Sequence, residues 1–299
     1  MTSNAHKADE ARSKESKLEA YYNNVQTLFW FDHVLGGARH FGYYKAGTKL
    51  PFPIRASLLR MEEQLYKALQ LPTGARVLDA GCGAGHVSEY MARQGLHVTA
   101  IDIVPRHIGL TEKTKSLLSE EKDVQGTIEV QLMDYHHLEA LGTGSTFEGI
   151  YTIEALVHAT DPMAVLSGFM RQLKPGGRIV MHEYEHDIPE ADRSAIKIVN
   201  DGFSMPMHEI SRPGVMKEML ERAGFRDIEM RDLSQNVRPM TRMNYAISIV
   251  PYILLKPLGL VKHSLNAVAG VQLHRNLRRG NWKYVQIFAT KPVDPSRVE

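Results

Sequence analysis

The chain has a single cysteine, Cys82, in 299 residues, which excludes any intramolecular disulfide and fits a reducing, cytoplasmic setting. It lacks a run of the roughly 18 apolar residues that would span a bilayer. The nearest stretch, residues 246–261, is broken by Ser248, Pro251, Lys256 and Pro257, so it is expected at most to touch lipid or a lipophilic ligand from the periphery. Residues 1–17 are polar and mixed in charge, without the apolar core of a secretory signal. Long blocks of one charge are missing, and the formal net charge is only +2, so a nucleic-acid partner is not expected. Internal repeats and low-complexity tracts are absent as well.

What is present is the rhythm of an α/β protein. Short apolar runs at 76–79, 97–102, 128–132, 149–153, 178–183, 226–231 and 284–290 read as strands. Helical spacing fits 54–70, 85–94, 105–119, 162–173 and 212–223. The expected fold is a doubly wound, mostly parallel seven-stranded sheet, Rossmann-like. It divides into a tail and helical cap over 1–72 and a main domain over 73–299. Residues 184–211 and 233–281 fall outside the alternation and are expected as lid insertions over the carboxyl ends of the strands, where ligands bind in open α/β sheets.

The most informative stretch is Val77-Leu78-Asp79-Ala80-Gly81-Cys82-Gly83-Ala84-Gly85, a strand that breaks into a glycine-rich turn and opens a helix. Glycines let the backbone turn tightly and admit a ligand, and the helix start offers unpaired N–H groups. A second strand, His97–Asp102, ends in an acid suited to the two hydroxyls of a ribose. A nicotinamide dinucleotide would use the same logic. Its fingerprint, however, wants a small residue where His86 stands, and Asp79 suits the ammonium of a methionine moiety better than a pyrophosphate.

These residues resemble the glycine-rich motif and ribose-binding acid of class I S-adenosylmethionine-dependent methyltransferases. Met133-Asp134-Tyr135 is similar to the family's adenine-binding position, and Leu173-Lys174-Pro175-Gly176-Gly177-Arg178 to the turn before its fifth strand. The resemblance implies S-adenosylmethionine as cofactor, held by Asp79, Gly81, Gly83, Asp102, Ile103, Asp134 and Tyr135. The segment Tyr151-Thr152-Ile153-Glu154-Ala155-Leu156-Val157-His158-Ala159 resembles the sterol 24-C-methyltransferases. Tyr21-Tyr22 and Arg39-His40-Phe41-Gly42-Tyr43-Tyr44 resemble the cap of the wider group that includes tocopherol-type and prenyl diphosphate C-methyltransferases. The chain is shorter than the sterol enzymes, and Asp32-His33-Val34-Leu35-Gly36-Gly37 replaces their aromatic-Gly-Trp-Gly cap motif.

The resemblance implies methyl transfer, by C-methylation, to a small lipophilic acceptor such as a sterol, terpenoid or prenylated compound. Glu154 and His158 are the expected catalytic pair, four residues apart and on one face if the segment makes a helical turn. Tyr21, Tyr22, His40, Tyr43, Glu183 and Tyr245 are the expected acceptor contacts. An O- or N-methyltransferase of a natural product and a non-catalytic cofactor-binding scaffold are the alternatives. The Asn/Asp-Pro-Pro-aromatic signature of nucleic-acid methyltransferases is absent after the fourth strand. His136-His137 and the His182, Glu183, His186 group have no second cluster at ligand spacing, so no metal is expected.

Overall fold

The computed structural model describes residues 30–142, 146–189, 193, 197, 209–258 and 265–293. Tyr21 and Tyr22, and residues 190–192, 194–196 and 198–208 of the first expected lid segment, lie outside the described residues.

Helix α1 (Ile54–Leu69) buries a stripe of Leu58, Met61, Leu65 and Leu69, and stops where Gln70 turns left-handed ahead of Leu71-Pro72. The chain then alternates as the sequence predicts: β1 (Arg76–Ala80), α2 (His86–Arg93), β2 (His97–Asp102), α3 (Pro105–Ser119), β3 (Thr127–Leu132), β4 (Phe147–Ile153), α4 (Pro162–Gln172), β5 (Leu173–His186), α5 (Val215–Arg222), β6 (Arg226–Asp232) and β7 (Trp282–Thr290). Asp161 starts α4 by accepting the Ala164 N–H at 3.0 Å, with Pro162 in the first helical position. The strands form one seven-stranded sheet in the order β3-β2-β1-β4-β5-β7-β6. The pairs β1–β2, β1–β4, β2–β3 and β4–β5 are parallel, while β7 runs antiparallel to both β5 and β6.

Strand residues alternate between two cores, as a sheet covered on both faces requires. Val77, Val98, Tyr151, Val180 and Tyr284 point to one core, shared with α1, α2 and the cap. Leu78, Ile101, Ile150, Ile179 and Ile287 point to the other, which α4 and α5 cover through Phe169 and Leu220.

The segment 233–281 forms two helices, α6 (Ser234–Leu255) and α7 (Leu265–Arg279), packed against each other. The cap is stitched to the start of α6: the Tyr44 N–H donates to the Asn236 carbonyl at 2.9 Å, and Asn236 Nδ2 returns a bond to the Tyr44 carbonyl at 2.7 Å. No helix among the described residues is long and apolar enough to cross a membrane.

Candidate active site

The carboxyl ends of β1, β2 and β4 converge on the glycine-rich loop. Gly81 and Gly83 have φ of 94° and 55°. A Cβ on Gly81 would lie 2.6 Å from the Ala155 Cβ, and one on Gly83 would lie 3.2 Å from the Arg39 Cγ, so both positions need glycine on conformational and steric grounds. Asp102 stands at the edge of this bare loop. Its Oδ2 accepts the Gly83 N–H at 2.9 Å and its Oδ1 the Val104 N–H at 2.8 Å. A left-handed glycine cradle beside a buried carboxylate fits a ligand with a vicinal diol, which is the chemistry of the expected cofactor's ribose. Ile103, next in sequence, is half-buried.

Asp134 follows β3 and caps a short 3-10 turn, with Oδ1 accepting the His136 N–H at 2.9 Å and meeting the His136 ring Nδ1 at 2.6 Å. Burial opposes its ionisation, but the His136 contacts outweigh burial and hold the carboxyl below its usual range. The Tyr135 hydroxyl donates to the Ala155 carbonyl at 3.1 Å, joining this turn to the one after β4.

Asp79 behaves differently from the expectation that it meets a ligand ammonium. It is wholly buried and accepts the Ser88 hydroxyl at 2.6 Å, which pins α2 to the loop from inside. Burial raises its pKa to about 7.

Glu154 ends β4 with φ of 54°, a left-handed backbone that a non-glycine residue holds only when its surroundings fix it. They do. Oε1 accepts the Phe41 N–H at 2.9 Å from the cap and the Tyr284 hydroxyl at 2.8 Å from β7. Burial raises the carboxyl's pKa against these two bonds. This kink also corrects the expected pairing with His158. The chain leaves Glu154 left-handed and re-forms only as a 3-10 turn at Leu156–His158, so the i,i+4 geometry of a continuous helix does not apply.

Glu183 and His40, two of the expected acceptor contacts, are both buried. Glu183 lies 3% exposed beneath the turn after β4, where its Oε1 accepts the Leu156 N–H at 2.8 Å. Burial pushes its pKa to about 8, so it is protonated at neutral pH. His40 is buried and its Nε2 sits 3.4 Å from Glu62 on α1. Burial works against the imidazolium, but the Glu62 contact outweighs it and raises the pKa. Tyr43 and Tyr245 are half-buried, and the Tyr245 ring lies 5.3 Å from that of His274.

The sequence left several members of this site unmarked. Arg39 lies against Gly83, with its guanidinium 4.5 Å from the Phe31 ring centroid and 3.3 Å from Asp32. Asp32 also meets Arg106 at 3.2 Å, so the Asp32–Gly37 stretch clamps over the glycine loop. Phe41, Tyr184, Trp282 and Tyr284 form an aromatic group with centroid separations of 5.6–6.3 Å. Only Glu62 had a legible signal, an acid set within the apolar stripe of α1. A cavity of about 610 Å³ opens between the cap, α1 and α2, lined by residues including Leu35, Leu58, Glu62, His86 and Tyr90; among the described residues, its lining includes none of the expected acceptor contacts.

Comparison with known proteins agrees with this fold. Residues 54–235 match the family described as Methyltransferase domain. The chain is 39% identical to the S-adenosyl-L-methionine-dependent Diels-Alderase iccD of Talaromyces variabilis, over 92% of this chain and 94% of that protein. It is 40% identical to the S-adenosyl-L-methionine-dependent Diels-Alderase iliD of Neonectria sp. (strain DH2), over 71% of this chain and 83% of that protein. The crystal structure of the [4+2]-cyclase SpnF shares the fold with a TM-score of 0.69 at 19% identity, over 93% of this chain and 96% of SpnF.

Proposed function

Because the chain belongs to the methyltransferase-domain family and is an S-adenosylmethionine-dependent enzyme, we propose that it is a cyclase, closing a ring by [4+2] cycloaddition within one lipophilic polyene. The observation that carries this reading is the 39% identity, along nearly the whole of both chains, to a cofactor-dependent Diels-Alderase. In such a step the four π electrons of a diene and the two of a dienophile become two σ bonds and one new π bond. No atom enters or leaves, and no proton moves.

The site suits that requirement. Glu154 is tied to the cap and to Tyr284, and Glu183 is protonated and engaged by the backbone, so neither is poised as a base. The cap, fastened through Phe41 and Tyr44, and the aromatic group behind it supply apolar walls that hold a folded conformer. Asp102 would hold the ribose of the cofactor, Asp134 its adenine amine, and Arg39 its carboxylate. Bound S-adenosylmethionine supplies a fixed sulfonium cation able to polarise an electron-poor dienophile.

Methyl transfer to a lipophilic acceptor, at carbon before oxygen, is the second reading. It is favoured by the family itself and by Glu154 Oε2, which carries no hydrogen bond among the described residues. The test is incubation with methyl-labelled cofactor and a linear polyene bearing a diene and an activated alkene. A cyclase gives a product isomeric with its substrate, requires the cofactor, and leaves the label on it. Stoichiometric S-adenosylhomocysteine and a product one methylene heavier would establish methyl transfer and overturn the cyclase reading.

A further inference from the structure

The segment 233–281 holds seven lysines and arginines and no aspartate or glutamate. At the chain's overall frequency of acids, 34 in 299, those 49 residues would hold about six. This bias is hidden in the formal net charge of +2 because acids elsewhere balance it.

The structure turns the segment into the α6–α7 pair, and α6 has a buried side and an exposed apolar one. Val237, Met240, Thr241, Asn244 and Ser248 are buried, and the Thr241 hydroxyl meets His274 of α7 at 3.0 Å. On the opposite side, Ile247, Val250, Ile253 and Leu254 are 56–63% exposed, and Leu258 just past the helix is 67% exposed. At about 100° per residue, the four helical positions occupy an arc of roughly 120°. On the helical wheel Arg242 borders that arc, with Lys256 near the same edge. The Arg242 guanidinium also binds the Lys49 carbonyl at 2.8 Å, which brings the loop bearing the exposed Leu50 and Phe52 beside α6. Arg238, Arg242 and Arg278 together depress the His274 pKa, after burial, to about 4, so positive charge gathers on this pair of helices.

A contiguous exposed apolar stripe marks a contact surface. An apolar helix face edged by lysine and arginine, with no acid in the segment, matches one surface chemistry: acyl chains beneath anionic headgroups. We propose that the α6–α7 pair docks the protein on an anionic lipid surface, with Ile247, Val250, Ile253, Leu254 and Leu258 entering the acyl boundary and Arg242 and Lys256 meeting lipid phosphate. Lysine and arginine can bury their stems and keep their charges at the headgroups, so the two sets act together. The inference rests on this surface alone and stands whichever reaction the active site performs.

The test is flotation of the full chain with vesicles of phosphatidylcholine, alone or mixed with phosphatidylserine, at low and high salt. The expected result is binding to the anionic vesicles that falls with salt. Arg242→Gln with Lys256→Gln should lower the partition coefficient roughly thirtyfold, at about a factor of five for each charge removed near the surface. Ile247→Asp with Leu254→Asp should abolish binding. Cofactor affinity and circular dichroism, unchanged in both variants, exclude misfolding. No flotation with anionic vesicles overturns the proposal. So does a concentration-dependent dimer that the Ile247→Asp, Leu254→Asp variant loses, without vesicle binding, since the stripe is then a contact between two copies.

Discussion

The two halves of the site use carboxylates in opposite ways. At the ends of β2 and β3, Asp102 and Asp134 accept backbone N–H groups: Val104 and His136, each two residues on, and Gly83 in the glycine-rich loop, 19 residues back. At the ends of β4 and β5, Glu154 and Glu183 have pKa values raised by burial, and the partners of Glu154 come from distant parts of the chain. Phe41 and Tyr284 are 113 and 130 residues from Glu154. The first arrangement suits the proposed role of presenting charge to the cofactor. The second spends its carboxyls on fastening the cap and the turn after β4, which leaves that half apolar and poor in bases. A protein that needs its cofactor's charge beside a lipophilic substrate is served by such a division.

The largest effect that would break this comparison is expected at Asp102. Asp102→Ala removes the proposed acceptor for the ribose and the brace on the Gly83 and Val104 amides. Two charge-assisted bonds to a ligand are worth about 3–4 kcal/mol, so the dissociation constant for S-adenosylmethionine should rise several hundredfold by calorimetry. Glu183→Gln in the same assay should change it little. Equal losses in the two variants would erase the distinction between the halves.

This division also explains what could be read in advance. The sheet, its order of elements and the glycine loop were legible because strand alternation and the β1–loop–α2 motif are local patterns. The roles of Glu154, Glu183 and His40 were not, because each depends on what folds against it from far away. Tyr284 looks like any inward residue of β7, and nothing near residue 154 announces it. The bond between Asp79 and Ser88 was not legible either: the two are close in sequence, but whether a carboxylate meets the helix behind it depends on the turn between them. The α6–α7 pair was foreseen only as an insertion, since its two faces separate clearly only once Ser248 and Asn244 are seen to be buried.

An intermediate effect concerns the deep half and pH. Glu183 has its pKa raised from its ordinary 4.5 to about 8 in the folded protein. The folded state therefore keeps a proton that the unfolded state has lost, and stability falls as pH rises through that interval. The contribution is fully present below about 4.5 and gone above about 8. Glu183→Gln keeps an oxygen for the Leu156 N–H but cannot ionise. Denaturation followed from pH 5 to pH 8 should show the parent losing about 3–4 kcal/mol relative to this variant. Asp79, raised by burial to about 7, contributes in the same direction in both proteins and drops out of the difference. Parallel curves would mean that Glu183 is ionised in the fold and belongs with Asp102.

The smallest effect tests the fastening itself. Tyr284→Phe removes one hydroxyl and leaves the aromatic group nearly isosteric. Glu154 would keep the Phe41 N–H at 2.9 Å and lose the bond at 2.8 Å. A hydrogen bond to a buried carboxyl is worth about 1–2 kcal/mol, and that loss should appear in denaturant unfolding. Glu154→Gln, made alone and together with Tyr284→Phe, closes a double-mutant cycle whose coupling should be about 1 kcal/mol. The functional readout separates a fastening from a ligand contact. If Glu154 holds the cap, both single variants should raise KM for the lipophilic substrate and leave cofactor affinity unchanged. If Glu154 acts on the reacting atoms, Glu154→Gln should lower kcat far more than Tyr284→Phe does. In that second case the deep half would carry chemistry as well as shape, and methyl transfer would regain the ground that the cyclase reading now holds.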